Sequence, residues 1–176
     1  MAQSLDRTQL TGHERTFAPD EFIVSKTDVK GHITYANEVF LRISGFDEEE
    51  VIGAPHSLVR HPDMPRCVFK LLWETIQAKK EIFAYVINTA KTGDHYWVFA
   101  HVTPSFDEQG DVIGFHSNRR APEPSKLDTI RTIYRQLMEE EERYDDRKLG
   151  LTKSSELLAS VVADKGIEYD EFILTL

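Results

Sequence analysis

Apolar and polar positions follow two different periods along this chain. "FIVSKTD" and "HITYA" alternate every second residue on either side of "VKG", which predicts two short strands joined by a turn. Asn37 then opens "NEVFLRISG" as an N-cap, with Gly45 at the helix stop, and "DEEEVIG" predicts a further helical turn. In "PRCVFKLLWETIQAKK" the period is helical: Val68, Leu71, Leu72, Thr75 and Ile76 repeat every three and four residues, with Pro65 as the expected first residue. The period returns to two in "IFAYVINTA", "HYWVFAHVTPSF" and "VIGFHSNRR", separated by the turns "KTGD" and "DEQGD". Two strands, short helices, one longer helix and three strands predict an α+β fold, an antiparallel sheet with helices on one face.

Beyond "APEPS" the pattern changes. Leu127, Ile130, Tyr134, Leu137 and Met138 predict an amphipathic helix that runs into "EEEERYDDRK". Leu157, Leu158, Val161 and Val162 mark a second apolar face, and "YDEFILTL" closes the chain. The expected units are a flexible lead or cap over 1–19, a domain over 20–120 and a helical extension over 121–176. Short helices rarely hold alone, so these stripes must pack on the domain or on a partner. The acidic run reads as a solvated helix face.

Composition narrows the classes. The 176 residues are 40% hydrophobic and 29% charged, as in a soluble globular chain. A net charge of −9 argues against nucleic acid and anionic membrane as partners. The apolar runs are too short to span a bilayer, and "MAQSLDRTQL" lacks the apolar core of a secretory signal, so the expected location is cytoplasmic. Cys67 is the single cysteine, which excludes an intrachain disulfide. No phosphate-binding loop, nucleophile elbow or dinucleotide fingerprint appears, so no enzyme is expected. The scattered histidines give no zinc spacing, so no metal is expected.

One stretch resists a structural reading. "LVRHPDMP" sets Arg60, His61 and Asp63 between prolines, in a segment unsuited to regular structure. It fits a catalytic cluster, a metal site, a ligand clamp, or a surface loop in which Arg60 and Asp63 merely pair. Asn37 has a role as a helix cap whatever else it does. Asn88 lies in mid-strand, where asparagine is disfavoured, so a binding role gains weight. Trp73, Phe83, Tyr85 and Trp97 are candidate walls for a ligand, and Gly93 and Asp94 are turn residues.

The element order and four local motifs resemble the PAS family over residues 20–120. "TDVKGHITYANEVFLRISGFDEEEVIG" is similar to its opening, and "NTAKTGDHYWV" to its hairpin. "GAPHSLVRHPDMP" with "KTGDHYWVFAHVTP" is similar to the narrower group of aerotaxis-receptor PAS domains. The resemblance implies a five-stranded antiparallel PAS sheet with short helices on one face, followed here by the helical extension. It also implies a bacterial signal-transduction sensor that binds FAD noncovalently, responds to redox state, oxygen or light, and signals through sheet and helices to a second copy or a protein partner. The implied cofactor residues are Arg60, His61 and Asp63, with Asn37, Asn88, Trp73 and Trp97. FAD needs an apolar slot, hydrogen-bond partners for its ring edge and a basic group for phosphate, which arginine and asparagine side chains can supply. Two positions depart from flavin-binding relatives. Ile82 or Phe83 stands where several carry a tryptophan, and His56 stands where light-sensing domains carry the adduct-forming cysteine. A haem-binding gas sensor and a cofactor-free interaction module remain the alternative functions; His56, His61, His95, His101 and His116 are the available haem ligands.

Overall fold

In this computed structural model, which describes residues 7–176, the elements run β1 (Ile23–Thr27), β2 (Ile33–Ala36), α1 (Glu38–Ser44), α2 (Glu48–Val51), α3 (Arg66–Gln77), β3 (Ile82–Thr89), β4 (His95–Phe106), β5 (Val112–Arg120), α4 (Pro124–Glu142), α5 (Arg147–Ala163) and α6 (Tyr169–Thr175). The strands form one antiparallel sheet in the order β2-β1-β5-β4-β3. This is the expected α+β arrangement.

Local chemistry explains most boundaries. Asn37 Oδ1 accepts from Phe40 N and caps α1, and Gly45 ends that helix in the left-handed region at φ 72°. Asp47 and Glu50 form a capping box on α2. The longer helix is shorter than its sequence pattern, because Pro65 caps it instead of opening it and Lys79 turns left-handed at φ 63°.

Strand parity divides the sheet. Ala84, Val86 and Asn88 pair across to Ala100, Val98 and Tyr96 and point to the inner face, which α1, α2 and α3 cover. Tyr85, Ile87, Trp97 and Phe99 point to the outer face. There α4 closes over them: the Tyr134 hydroxyl donates to the Tyr85 carbonyl, and its ring lies 6.1 Å from Trp97. Leu127, Ile130, Leu137, Leu158, Val162, Phe172 and Ile173 join the same core as the sheet. The tail stripes therefore pack in cis. The short helices keep to one face of the sheet, as the sequence predicted, and the helical extension covers the other.

One residue of the acidic run is not solvated. Glu141 is 4% exposed and accepts from Cys67 N (3.0 Å), Arg66 Nε (2.9 Å) and the Ser154 hydroxyl (2.9 Å). Its carboxylate sits on the positive N-terminal end of α3 and ties that helix to α4 and α5. Gly150 permits the approach, since a Cβ there would lie 2.4 Å from the Glu141 carbonyl oxygen.

Residues 1–6 of the predicted lead lie outside the described residues. Residues 7–19 form a strap over the β3–β4 hairpin, where Thr11 N donates to Gly93 O and Arg15 N to His95 O. Arg15 also reaches Asp94, Thr92 and the Ile43 carbonyl. The Thr11 hydroxyl and Arg15 hold the Asp94 carboxyl well below the usual range.

Glu141→Ala strips a buried carboxylate from three donors, and the expected loss of unfolding free energy is about 3 kcal/mol. Ser154→Ala removes only one donor, for an expected loss of about 1 kcal/mol. Urea titration of both variants measures the order, and equal losses would contradict the capping role of Glu141.

Candidate cofactor site

A cavity of about 530 Å³ opens between the inner face of the sheet, α3 and the loop from Pro55 to Arg60. Its floor is apolar, made by Val86, Ala100, Val102 and Phe115. Trp73 forms one wall, with its ring edge-on to Phe115 at 5.6 Å. Phe69 forms another, beneath the Arg60 guanidinium at 4.3 Å. Among the described residues, the lining includes five cations, Lys30, Arg60, Arg66, Lys70 and Arg119, and no carboxylate. Lys30 and Lys70 are exposed and sit at the mouth, whereas Arg119 is 2% exposed at the base.

The base holds unfilled hydrogen-bonding capacity. Arg119 Nη2 donates to the Ser25 hydroxyl, which bonds His56 Nε2 at 3.1 Å. Among the described residues, Arg119 Nε and Nη1 have no partner, nor has Asn88 Nδ2 on a side chain 3% exposed. Buried donors are normally paired. This set therefore fits a planar ligand that presents acceptors to the base and negative charge to the basic mouth. A flavin nucleotide has that distribution.

The sequence-predicted residues separate into two groups. Arg60, Trp73 and Asn88 line the cavity. His61, Asp63 and Trp97 line a second cavity, of about 500 Å³, beyond β3 and beneath α4 and the strap. The cause is extended backbone: Arg60 pairs with Asn88 as an isolated antiparallel bridge, so successive side chains diverge. His61 Nδ1 accepts from Asp63 N, and the Asp63 carboxylate meets Arg7 at 2.8 Å. These two brace the loop; the Arg60–Asp63 pair that the sequence allowed is not made. Trp97 pairs with Ile87 on the outer face, so strand parity removes it from this wall, as it removes Phe83 and Tyr85. Asn37 is held in place, with Oδ1 accepting from Phe40 N and Val24 N and Nδ2 donating to the Phe22 carbonyl, and does not line the cavity. Ile82 packs inward with Ile76, Val102 and Phe115, while Phe83 stacks on His101 at 4.3 Å. Neither brings an indole to the cavity; Trp73 does so from α3.

Sequence reasoning missed Arg119, Ser25, Arg66 and the two mouth lysines. The signal for Arg119 was present: it shares inward parity with Phe115 and Ser117, an unusual place for a charge.

Residues 33–119 match the PAS fold family. The chain carries a PAS sensory domain. It is 35% identical over 128 residues to the aerotaxis receptor of Escherichia coli (strain K12), covering 73% of this chain and 25% of that protein. It is 29% identical over 97 residues to a nitrogen fixation regulatory protein of Klebsiella pneumoniae, covering 55% of this chain and 20% of that one. It is 28% identical over 83 residues to phototropin-1A of Oryza sativa subsp. japonica, covering 47% of this chain and 9% of that one. The chain thus spans a quarter or less of these curated relatives. Among solved structures, a light-oxygen-voltage domain studied with a flavin analogue superimposes with a TM-score of 0.54 at 19% identity, over 63% of this chain and 83% of that one. The light state of the Aureochrome1 photoreceptor domain gives 0.54 at 19% identity, over 64% and 88%. At that identity the likeness concerns the fold. No helix among the described residues is long and apolar enough to cross a membrane.

Burial pushes His56 down to about 3, aided by the Arg119 charge. Burial also pushes His61 down to about 4, opposed by Asp63 and reinforced by His95. Unfolded histidine titrates near about 6.5, so between about 6.5 and 4 the unfolded chain binds more protons than the folded one. Stability is therefore full above that window and falls as pH drops through it. The melting temperature is expected to fall on acidification from about pH 7.5 to 4.5. A His56→Asn, His61→Asn double variant is expected to flatten that slope, and an unchanged slope would assign the acid sensitivity elsewhere.

Proposed function

We propose that this chain is a flavin-binding sensory domain that holds FAD noncovalently and signals through its sheet and C-terminal helices. The carrying observation is the cavity itself: an apolar slot with unpartnered donors on Asn88 and Arg119 at its base and only cations among its charged lining residues. Bound flavin supplies a ring whose charge and hydrogen bonding change on reduction. Asn88 would offer both a donor and an acceptor to the ring edge, Trp73 and Phe69 would wall the slot, and Arg60, Arg66, Lys30 and Lys70 would supply positive charge for the phosphates.

Redox state or oxygen is the favoured stimulus over adduct-forming light chemistry. His56 takes the position expected of the reactive cysteine, and Cys67 faces α5 and α6 outside this cavity with its thiol pushed up to about 11 by burial. The output route begins at Arg66 and Leu151, which line the cavity and belong to the contact between α3 and α5. A change at Arg66 reaches Glu141 directly. The receiving partner is a second copy or another protein, in the cytoplasm.

Protein purified from a flavin-sufficient host is expected to be yellow, with structured blue absorption, and to release FAD on denaturation. A sharp Soret band would support haem instead. A colourless protein that stays so after FAD addition would sink the cofactor reading. Arg60→Ala is expected to weaken FAD at least tenfold, about 1.4 kcal/mol, with an unchanged circular dichroism spectrum. Undiminished affinity would remove Arg60 from the site.

A further inference from the structure

The base of the cavity carries a charge that no carboxylate among the described residues neutralises. Ser25 from β1, Phe40 from α1, Tyr96 from β4 and His56 from the loop before α3 face the Arg119 guanidinium. None is a carboxylate. The Phe40 ring lies 5.3 Å away, and Tyr96 Oη is itself buried without a partner. Around neutral pH both titratable neighbours are uncharged, since burial holds His56 at about 3 and Tyr96 at about 12. Arg119, lowered by burial to about 10, keeps its proton. An unpaired buried cation is among the costliest groups in a protein. A ligand that brings negative charge to its unpartnered Nε and Nη1 offsets that cost, and would bind more tightly in its anionic form.

We propose that Arg119 holds the negative charge of the reduced cofactor, so that the flavin ring is reduced by two electrons and one proton. This inference rests on the flavin reading. Two electrons enter from a one-electron reductant of the reduced-viologen class, in two successive transfers. One proton from water forms the N5–H bond. The N1 position takes no proton, and its charge, shared with the adjacent carbonyl oxygen, is held by the Arg119 guanidinium beside the Asn88 amide. The ring gains one net negative charge, and the protein neither gains nor loses a proton.

The test is mediated potentiometry of the flavin-loaded chain beside free flavin, from about pH 5 to 9. Below the N1 ionisation, two protons accompany two electrons. Above it, one proton does, and the potential falls about 30 mV per tenfold drop in proton concentration, half the slope below. The break between the slopes is expected in the wild type at least about one pH unit below that of free flavin, a tenfold change in proton affinity. Arg119→Gln is expected to move the break back up at least tenfold, and Arg119→Lys, which keeps the charge, to retain most of the shift. A wild-type break at or above that of free flavin overturns the proposal without any variant. So does an Arg119→Gln protein whose break and potential match the wild type. A chain that takes up no flavin defeats the functional reading and this inference together, whereas bound flavin with an unshifted break defeats this inference alone.

Discussion

A strand buried on both faces needs a partner for each, and β3 has seven of its eight residues buried. Its inner side chains, Val86 and Asn88, supply part of the cavity wall. Its outer side chains and backbone receive the tail, with the Tyr85 carbonyl bonded to Tyr134 and Ile87 set beside Trp97. Without α4, Tyr85, Ile87, Trp97 and Phe99 would form a contiguous apolar surface of a kind that soluble proteins rarely leave open. The helical extension is thus the second half of the core. This arrangement also puts ligand wall and tail anchor on opposite sides of a single strand, about one side chain apart.

Elements written in periodicity and local punctuation were legible in the sequence; elements written in tertiary contact were not. The strand and helix order followed from period two and period 3.6, and Asn37, Gly45 and Gly93 marked their boundaries correctly. The candidate site was half legible. Arg60, Trp73 and Asn88 do meet around one cavity. His61, Asp63 and Trp97 were grouped with them because motif proximity says nothing about the side of a strand or extended loop on which a side chain emerges. Asn37 was ambiguous for a different reason: a helix cap and a ligand contact use the same amide, and only the bonds to Phe22 and Val24, away from the cavity, decide between them. Glu141 was hidden among four consecutive glutamates, and its burial depends on α3 and α5 arriving from distant parts of the chain.

The charge distribution looks contradictory until distances are considered. The chain is strongly acidic, yet its cavity is lined with cations. At physiological salt, exposed charges are screened over about 8 Å, so the acidic exterior contributes little inside a walled cavity. Local cations dominate there, and weak solvation strengthens them. An anionic ligand therefore meets mild repulsion at long range and strong attraction at the mouth. That combination slows encounter and favours retention, as suits a resident cofactor more than a metabolite sampled rapidly.

Coupling between cavity and tail then reduces to the fate of one arginine. A ligand shifts a conformational equilibrium only by its differential affinity for the two states. Arg119 can distinguish ligand charge states, and its hydrogen bond is to Ser25 in β1. Arg66 joins the two regions: it lines the cavity, donates to Glu141 and donates to the Arg147 carbonyl at the start of α5. A ligand whose phosphates draw on Arg66 competes with Glu141 for it, and Glu141 then retains only Cys67 N and Ser154. Each weakened charge-assisted bond is worth about 1.5–3 kcal/mol, comparable with the 1–3 kcal/mol typical of coupling between sites. The capping carboxylate secures the tail and is linked to the cavity, because the bond that holds α4 to α3 is made by a side chain that also lines the cavity.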